Sequence, residues 1–532
     1  MKITDANNRW TKGLSLCFIL VLSNITTLFA QQTVPIEFVI DTDKQAQTID
    51  NIGASGCWFS EGIGKYWPTE KKEQIAEWLF SREFDSAGNP KGIGLSAWRF
   101  NIGGGTAEQG DSSGIKDFRK RVECFQRPDG TYDWSKQSGY LWFVRKAKEY
   151  GVENLIAFSN TPPVQFTKNG RGFKTERDFQ SNLQADKYDD YARFLTDVLQ
   201  HFEQEGLHFN YISPVNEPQW DWSNKPGQAS QEGSPWSNQD IYKITKLLDS
   251  NLSKAGLDTK IMLTEAGTLD YLFRNEGKTA KQIQHFFSKD SLLSLSALPH
   301  MPKFIGGHSY FTDKGDTNRV KVRAMLCDTA RKYNIDFWQT EYSMLGDGYK
   351  EGIKAKRTAM DCALFLSKII HTDLTVANAA AWHLWNSYEP GDPEAETRYY
   401  LIALRPNPTH TDGEFYQTKA LWAMGNYSRF IRPGMHRIIT SRSDELDDVA
   451  ASQNIMLSAF CNDKQVVAVA INYTTEQKEI KISLKNFGKI RHINKFITSS
   501  ATEDNLKRYP QKDVKETIIL PARSISTFVM DK

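Results

Sequence analysis

Between Thr48 and Phe430 the chain alternates eight times between a short apolar run and a longer amphipathic segment, and this rhythm restricts the fold more than any other feature. The apolar runs are 49–56, 94–103, 153–160, 208–217, 260–267, 303–310, 335–342 and 378–387. Each is strand-length and ends in Gly or polar residues. The segments between them carry helical spacing. Residues 69–81 open on Thr69 as an expected N-cap. In 187–206, Tyr191, Phe194, Leu195, Val198 and Leu199 fall on one face before Gly206 stops the helix. Eight strand–helix units predict a parallel (β/α)8 barrel, an α/β fold. The rival, a doubly wound sheet, calls for a Gly-rich phosphate loop, and 101–110 contains no GxGxxG.

After Arg432-Pro433-Gly434 the rhythm changes to short β-rich runs at 437–441, 454–461, 465–474, 479–484, 491–499, 517–521 and 524–530, the pattern of an antiparallel sandwich. Residues 35–40 are expected to add a strand to it. The expected organisation is a signal peptide at 1–30, an N-terminal sandwich strand at 31–47, the catalytic barrel at 48–432 and the sandwich at 433–532. Arg9 and Lys12 precede an apolar run that ends at Leu28-Phe29-Ala30, which points to export and to an extracytoplasmic location. No transmembrane segment is expected in the mature chain.

A net charge of +2 without a basic run argues against nucleic acid as partner. Five cysteines (57, 124, 327, 362, 461) follow the leader, with no CxxC and no HExxH, so neither a metal nor another cofactor is expected.

In such barrels catalytic groups lie at the C-terminal strand ends. That rule selects Glu217 in SPVNEPQWDW, ending the fourth strand, and Glu341 in WQTEYS, ending the seventh. Glu265, near the end of the fifth, is a weaker candidate. Two opposed carboxyls over a cleft are the equipment of glycoside hydrolysis. Asn216 is placed to hold a sugar hydroxyl, Tyr310 to donate to Glu341, and Arg99 to pair with Glu341 as a structural partner or a clamp. Trp58, Trp220 and Trp385 are candidate stacking faces for a sugar ring. Asn160 either admits an axial hydroxyl or only caps its turn. His308 and His383 read as satisfied strand-end histidines rather than metal ligands. GHSYF lacks the last Gly of a nucleophile elbow, which weighs against Ser309 as a nucleophile.

Taken together, SPVNEPQWDW, WQTEYS, GGHSYF, AFSNTPPVQFTKNG, WAMGNYSRFIRPG and LPARSISTFV make the chain resemble glycoside hydrolase family 30 over nearly its whole mature length. The resemblance implies a retaining enzyme with a barrel and a side sandwich. It makes Glu217 the acid/base and Glu341 the nucleophile, with Arg99, Asn216, Tyr310 and Trp385 as active-site neighbours; Asn160 and His308 are expected to contact the substrate as well. NEPQWDW followed by QEGSPW is similar to the endo-β-1,6-galactanase branch, which implies a polysaccharide or oligosaccharide substrate. Asn160 and Ser309 stand where glucosylceramidase-like members carry aromatics. A β-1,6-glucanase, a xylanase, a glucosylceramidase-like hydrolase and a non-catalytic carbohydrate-binding protein remain alternatives.

Overall fold

The computed structural model describes residues 34–532 apart from 278, 512, 514 and 515; the expected signal peptide lies outside them. A long first strand, β1 (Ile36–Thr48), leads into the barrel strands β2 (Asn51–Ser55), β3 (Ala97–Asn101), β4 (Asn154–Phe158), β5 (Tyr211–Ser213), β6 (Lys260–Ile261), β7 (Thr264–Ala266), β8 (Phe304–His308), β9 (Asp336–Tyr342) and β10 (Ala379–Leu384). They form one parallel sheet in the order β6-β5-β4-β3-β2-β10-β9-β8-β7. β6 pairs with β5, and β7 pairs with β8. The two are halves of the fifth strand, so the chain itself closes the ring through Met262 and Leu263.

The interior is narrow and filled. Ala97, Ile156, Met262, Phe304, Trp338, Ala380 and Ala381 form one buried cluster. Phe304 and Trp338 stack there at 3.9 Å. At Gly53 a Cβ would lie 2.6 Å from that of Ala97, so glycine is what lets β2 approach β3. The helices cover the outside. In the helix Tyr188–Gln204 the five residues expected on one face are all buried. The helix Thr69–Phe80 is capped differently from the expectation: Pro68 holds the N-cap position and Thr69 is the first helical residue, because Pro pre-sets the entering turn without supplying a side-chain cap.

Sequence reasoning missed a small sheet in the loop after β10, made of β11 (Tyr388–Pro390), β12 (Ile402–Pro406) and β13 (Gly413–Gln417). The remaining strands are β14 (His436–Arg442), β15 (Ile455–Cys461), β16 (Gln465–Asn472), β17 (Lys478–Lys485), β18 (His492–Thr498), β19 (Lys507–Tyr509), β20 (Ile518–Leu520) and β21 (Ser524–Asp531). With β1 they make a nine-stranded sheet, β19-β18-β21-β16-β15-β14-β1-β17-β20, antiparallel except where β1 runs parallel to β17. Residues from its distant strands, Ile480 and Leu520 with Ala468 and Phe528, share one apolar core, so the sheet folds over on itself.

β16 explains how this module meets the barrel. Val466, Ala468 and Ala470 face the sheet's own core, while Val467, Val469 and Ile471 join the large core that surrounds the barrel. Both faces of the strand are buried, hence its unbroken apolar sequence. Among the described residues the five cysteines are free thiols, and no helix is long and apolar enough to cross a membrane.

Candidate active site

Glu217, Glu265, His308 and Glu341 converge at the C-terminal mouth of the barrel. Glu217 follows β5 by four residues and takes φ +44°, and Glu265 sits within β7 at φ +56°. Non-glycine residues pay a steric cost in this region, and such strain gathers at functional sites. The two turns are tied together by the Glu217 N–H, which donates to the Glu265 carbonyl at 2.8 Å.

The carboxyls differ in surroundings. Glu341 accepts from Arg99 Nη1 at 2.7 Å and from the Tyr310 hydroxyl at 3.0 Å. Glu265 is fully buried, where it accepts from Ser213 Oγ at 2.7 Å, Arg99 Nη2 at 3.4 Å, His308 Nε2 at 3.1 Å and the Thr340 hydroxyl. Burial alone would raise its pKa. Arg99 and His308 override that and hold it at about 2. His308 is equally buried, and burial would make it neutral, but the charge of Glu341 and the hydrogen bonds to Glu217 and Glu265 push its pKa up to about 9. The imidazole is therefore a cation that donates through Nδ1 to Glu217 at 3.2 Å. Glu217 has its pKa raised, first by burial, against the opposing donors His308 and the Trp220 indole.

Atoms of Glu217, His308 and Glu341 all lie within 4.8 Å of one another. The same three side chains could each offer one ligand atom to a cation. The closest oxygens of Glu217 and Glu341 are thus nearer than the roughly 6.5–9.5 Å of inverting glycosidases, and fit the roughly 5–5.5 Å of retaining ones.

A cleft of about 350 Å³ opens over this pair, and Trp58, Asn160, Asn216, Tyr310 and Trp385 line it. Asn160 Oδ1 accepts from Asn216 Nδ2 at 3.0 Å, which leaves Asn216 Oδ1 buried without a partner. Trp385 meets Trp58 edge-on at 5.0 Å.

Three residues expected to contact the substrate, His308, Arg99 and Trp220, do not line the cleft. His308 and Arg99 are sealed beneath the carboxylates. The Trp220 indole serves Glu217, and its ring packs edge-on to Phe311 at 6.3 Å. Ser309 is fully buried and donates to Asp373, in line with the reading against it as a nucleophile. His383 lies inside the barrel with Nε2 bonded to Asn51, but its Nδ1 is buried without a partner, so the ring is only half satisfied where a satisfied histidine was expected.

The cleft also has an unforeseen charged end of Arg119, Lys120 and Glu389. Glu389 stands in β11, five residues beyond β10, and that offset hid it from a search for acids at strand ends.

A closed parallel barrel with two unlike carboxyls at its mouth defines the class of (β/α)8-barrel glycosidases. The description "O-Glycosyl hydrolase family 30" matches residues 35–397, and the chain belongs to that family. It is 37% identical to a conserved exported protein from Bacteroides fragilis of known structure, which superposes with a TM-score of 0.86 over 93% of this chain and 100% of the other. It is 24% identical over 269 residues to an endo-β-1,6-galactanase of Hypocrea rufa, covering 47% of this chain and 54% of that one, so about half of that relative is matched. A glucuronoxylanase of Bacillus subtilis is 23% identical over 83% of this chain and 88% of its own length.

Proposed function

We propose that the protein is an exported, retaining glycosidase that hydrolyses β-1,6-linked galactan within the chain, with Glu217 as acid/base and Glu341 as nucleophile. The observation that carries this reading is the pair of carboxyls within 4.8 Å of each other, one with a raised pKa and the other paired with Arg99. Pairs of acids whose environments push them apart divide into proton donor and anion.

In the first step Glu217 gives its proton to the glycosidic oxygen, and the bond from that oxygen to the anomeric carbon breaks. Glu341 attacks the same carbon to form a glycosyl ester. Once it is an anion, Glu217 accepts from His308 and deprotonates a water. That water displaces Glu341, and the product keeps the starting configuration. Tyr310 and Arg99 aim Glu341. Asn216, steered by Asn160, offers its free Oδ1 to a hydroxyl of the sugar, and Trp385 floors it. The presence of both carboxyls disfavours a non-catalytic binding protein. The likeness to the exported Bacteroides protein and the basic-apolar leader support an extracytoplasmic location.

The galactan assignment rests on the likeness to the galactanase. The xylanase relative matches more of the chain and keeps xylan as the second reading. Incubation with arabinose-stripped arabinogalactan, β-1,6-glucan and glucuronoxylan decides between them. We expect galacto-oligosaccharides of mixed length from the first alone. Release of xylo- or gluco-oligosaccharides instead would overturn the galactan reading and keep the mechanism.

A further inference from the structure

The charged end of the cleft lies on the side away from Glu217. Arg119 and Lys120 come from the loop after β3 and Glu389 from the loop after β10, and these two strands flank β2 in the ring. Glu217, after β5, sits across the barrel. The acid must face the leaving group, so this end faces the sugar that carries the reacting carbon. The inference therefore rests on the roles proposed above.

Glu389 is well placed but incompletely used. Its Oε1 accepts from Asn386 Nδ2 at 3.3 Å and its Oε2 from Arg119 Nη1 at 3.3 Å. A carboxylate has about four acceptor sites, so capacity remains on both oxygens. Arg119 is committed elsewhere. Its Nε donates to Asp117 at 2.9 Å, and the guanidinium lies 4.4 Å from the Phe59 ring centre. Asn386 is fixed too, exchanging hydrogen bonds with the Cys57 backbone at 3.1 and 2.7 Å. Lys120 is different. Its ammonium rests 4.1 Å from the Trp58 ring centre, and among the described residues it donates no hydrogen bond. Three donors on a half-buried cation therefore border the cleft beside a carboxylate with spare acceptor capacity.

We propose that Lys120 and Glu389 form a specificity subsite that reads hydroxyls of the glycone sugar, Lys120 as donor and Glu389 as acceptor, with Arg119 and Asn386 as positioning residues for Glu389. A neutral sugar suits this end, where the cations Arg119 and Lys120 stand beside the anions Asp117 and Glu389 and no single sign prevails. A hydroxyl is donor and acceptor at once and suits the mixed pair.

The test crosses protein variants with deoxygenated substrates. Lys120→Met and Glu389→Met, with the wild type, are assayed on an aryl β-galactoside and its monodeoxy analogues. We expect one or more analogues to lose about tenfold or more in kcat/KM with the wild type, the range for a hydrogen bond to a charged group. In the variant lacking the partner, the same deoxygenation should cost less than about twofold further. A residue that only supports the fold would lower all substrates by a common factor. Equal penalties in wild type and variants overturn the proposal. So does a wild type indifferent to every deoxygenation, a result that needs no variant to fold. If the wild type cleaves an aryl β-glucoside or β-xyloside but not the galactoside, the galactan reading fails. The same cross on that sugar's deoxy series then tests the subsite.

Discussion

At the residue scale the two carboxyls should separate cleanly by substitution. Glu341→Gln keeps the shape and removes the attacking charge, so activity should fall below about 10⁻³ of wild type on every substrate while the circular dichroism spectrum is unchanged. Glu217→Gln should lose polysaccharide hydrolysis yet retain activity on aryl glycosides whose leaving group needs no proton. It should also lose the basic limb of the pH–rate profile, because the raised pKa of Glu217 sets that limb. Equal losses of both variants on the activated substrate would contradict the division of roles. Gly267 gives a steric test. A Cβ there would lie 2.8 Å from Glu217 Oε1 and 2.5 Å from the Trp220 indole nitrogen. Gly267→Ala should therefore cut kcat by tenfold or more by displacing Glu217. A variant with wild-type kcat would mean that Glu217 tolerates movement its role does not allow. Asn160→Ala should act through Asn216, which loses the acceptor that steers it.

At the element scale the ends of β5, β7, β8 and β9 are held together by charge, and pH should loosen them from both sides. His308 has its pKa raised to about 9, so its contribution to stability is full below its ordinary 6.5 and is lost as pH rises through 9. Glu265 has its pKa lowered to about 2, so its contribution is full above its ordinary 4.5 and fades as pH falls toward 2. Melting temperature plotted against pH should be highest between about 4.5 and 6.5 as far as these two groups decide it. His308→Gln should flatten the alkaline side. An unchanged alkaline slope would show that His308 is not charged in the folded protein.

The elements were also where the sequence spoke most clearly. The eight apolar runs became the eight barrel strands because a strand buried on both faces must be apolar throughout. Glu217 and Glu341 were legible because the barrel fixes where strand ends go. Arg119, Lys120 and Glu389 were not, since they reach the cleft from irregular loops and a small β-sheet whose course depends on tertiary contacts. His308 was visible as a strand-end histidine, but its charge follows from three carboxylates brought together from distant segments. Trp220 was read as a stacking face because sequence spacing cannot show which edge of an indole meets a neighbour.

At the scale of the whole molecule, the barrel and the folded-over sheet share a core. Met456, Phe460, Val467, Val469, Ile471 and Val529 pack into the same cluster as the barrel's helices. Severing the chain after Arg432 would strip that face of its cover, and the barrel alone should be insoluble or molten. Val469→Asp should destabilise the protein by about 3 kcal/mol or more, since it buries an unpaired charge at the junction. Calorimetry should show the wild type unfolding in one transition, and two separate transitions would contradict a shared core.

If Glu217 and Glu341 carry out a double displacement, the first product keeps the configuration of the substrate. Proton NMR followed from the first minutes of hydrolysis of a β-linked substrate reads the new reducing end before it mutarotates. The β-anomer should appear first, with the α-anomer following only later at the rate of spontaneous mutarotation. An α-anomer formed first would show a single inverting displacement and would contradict the roles assigned to both glutamates.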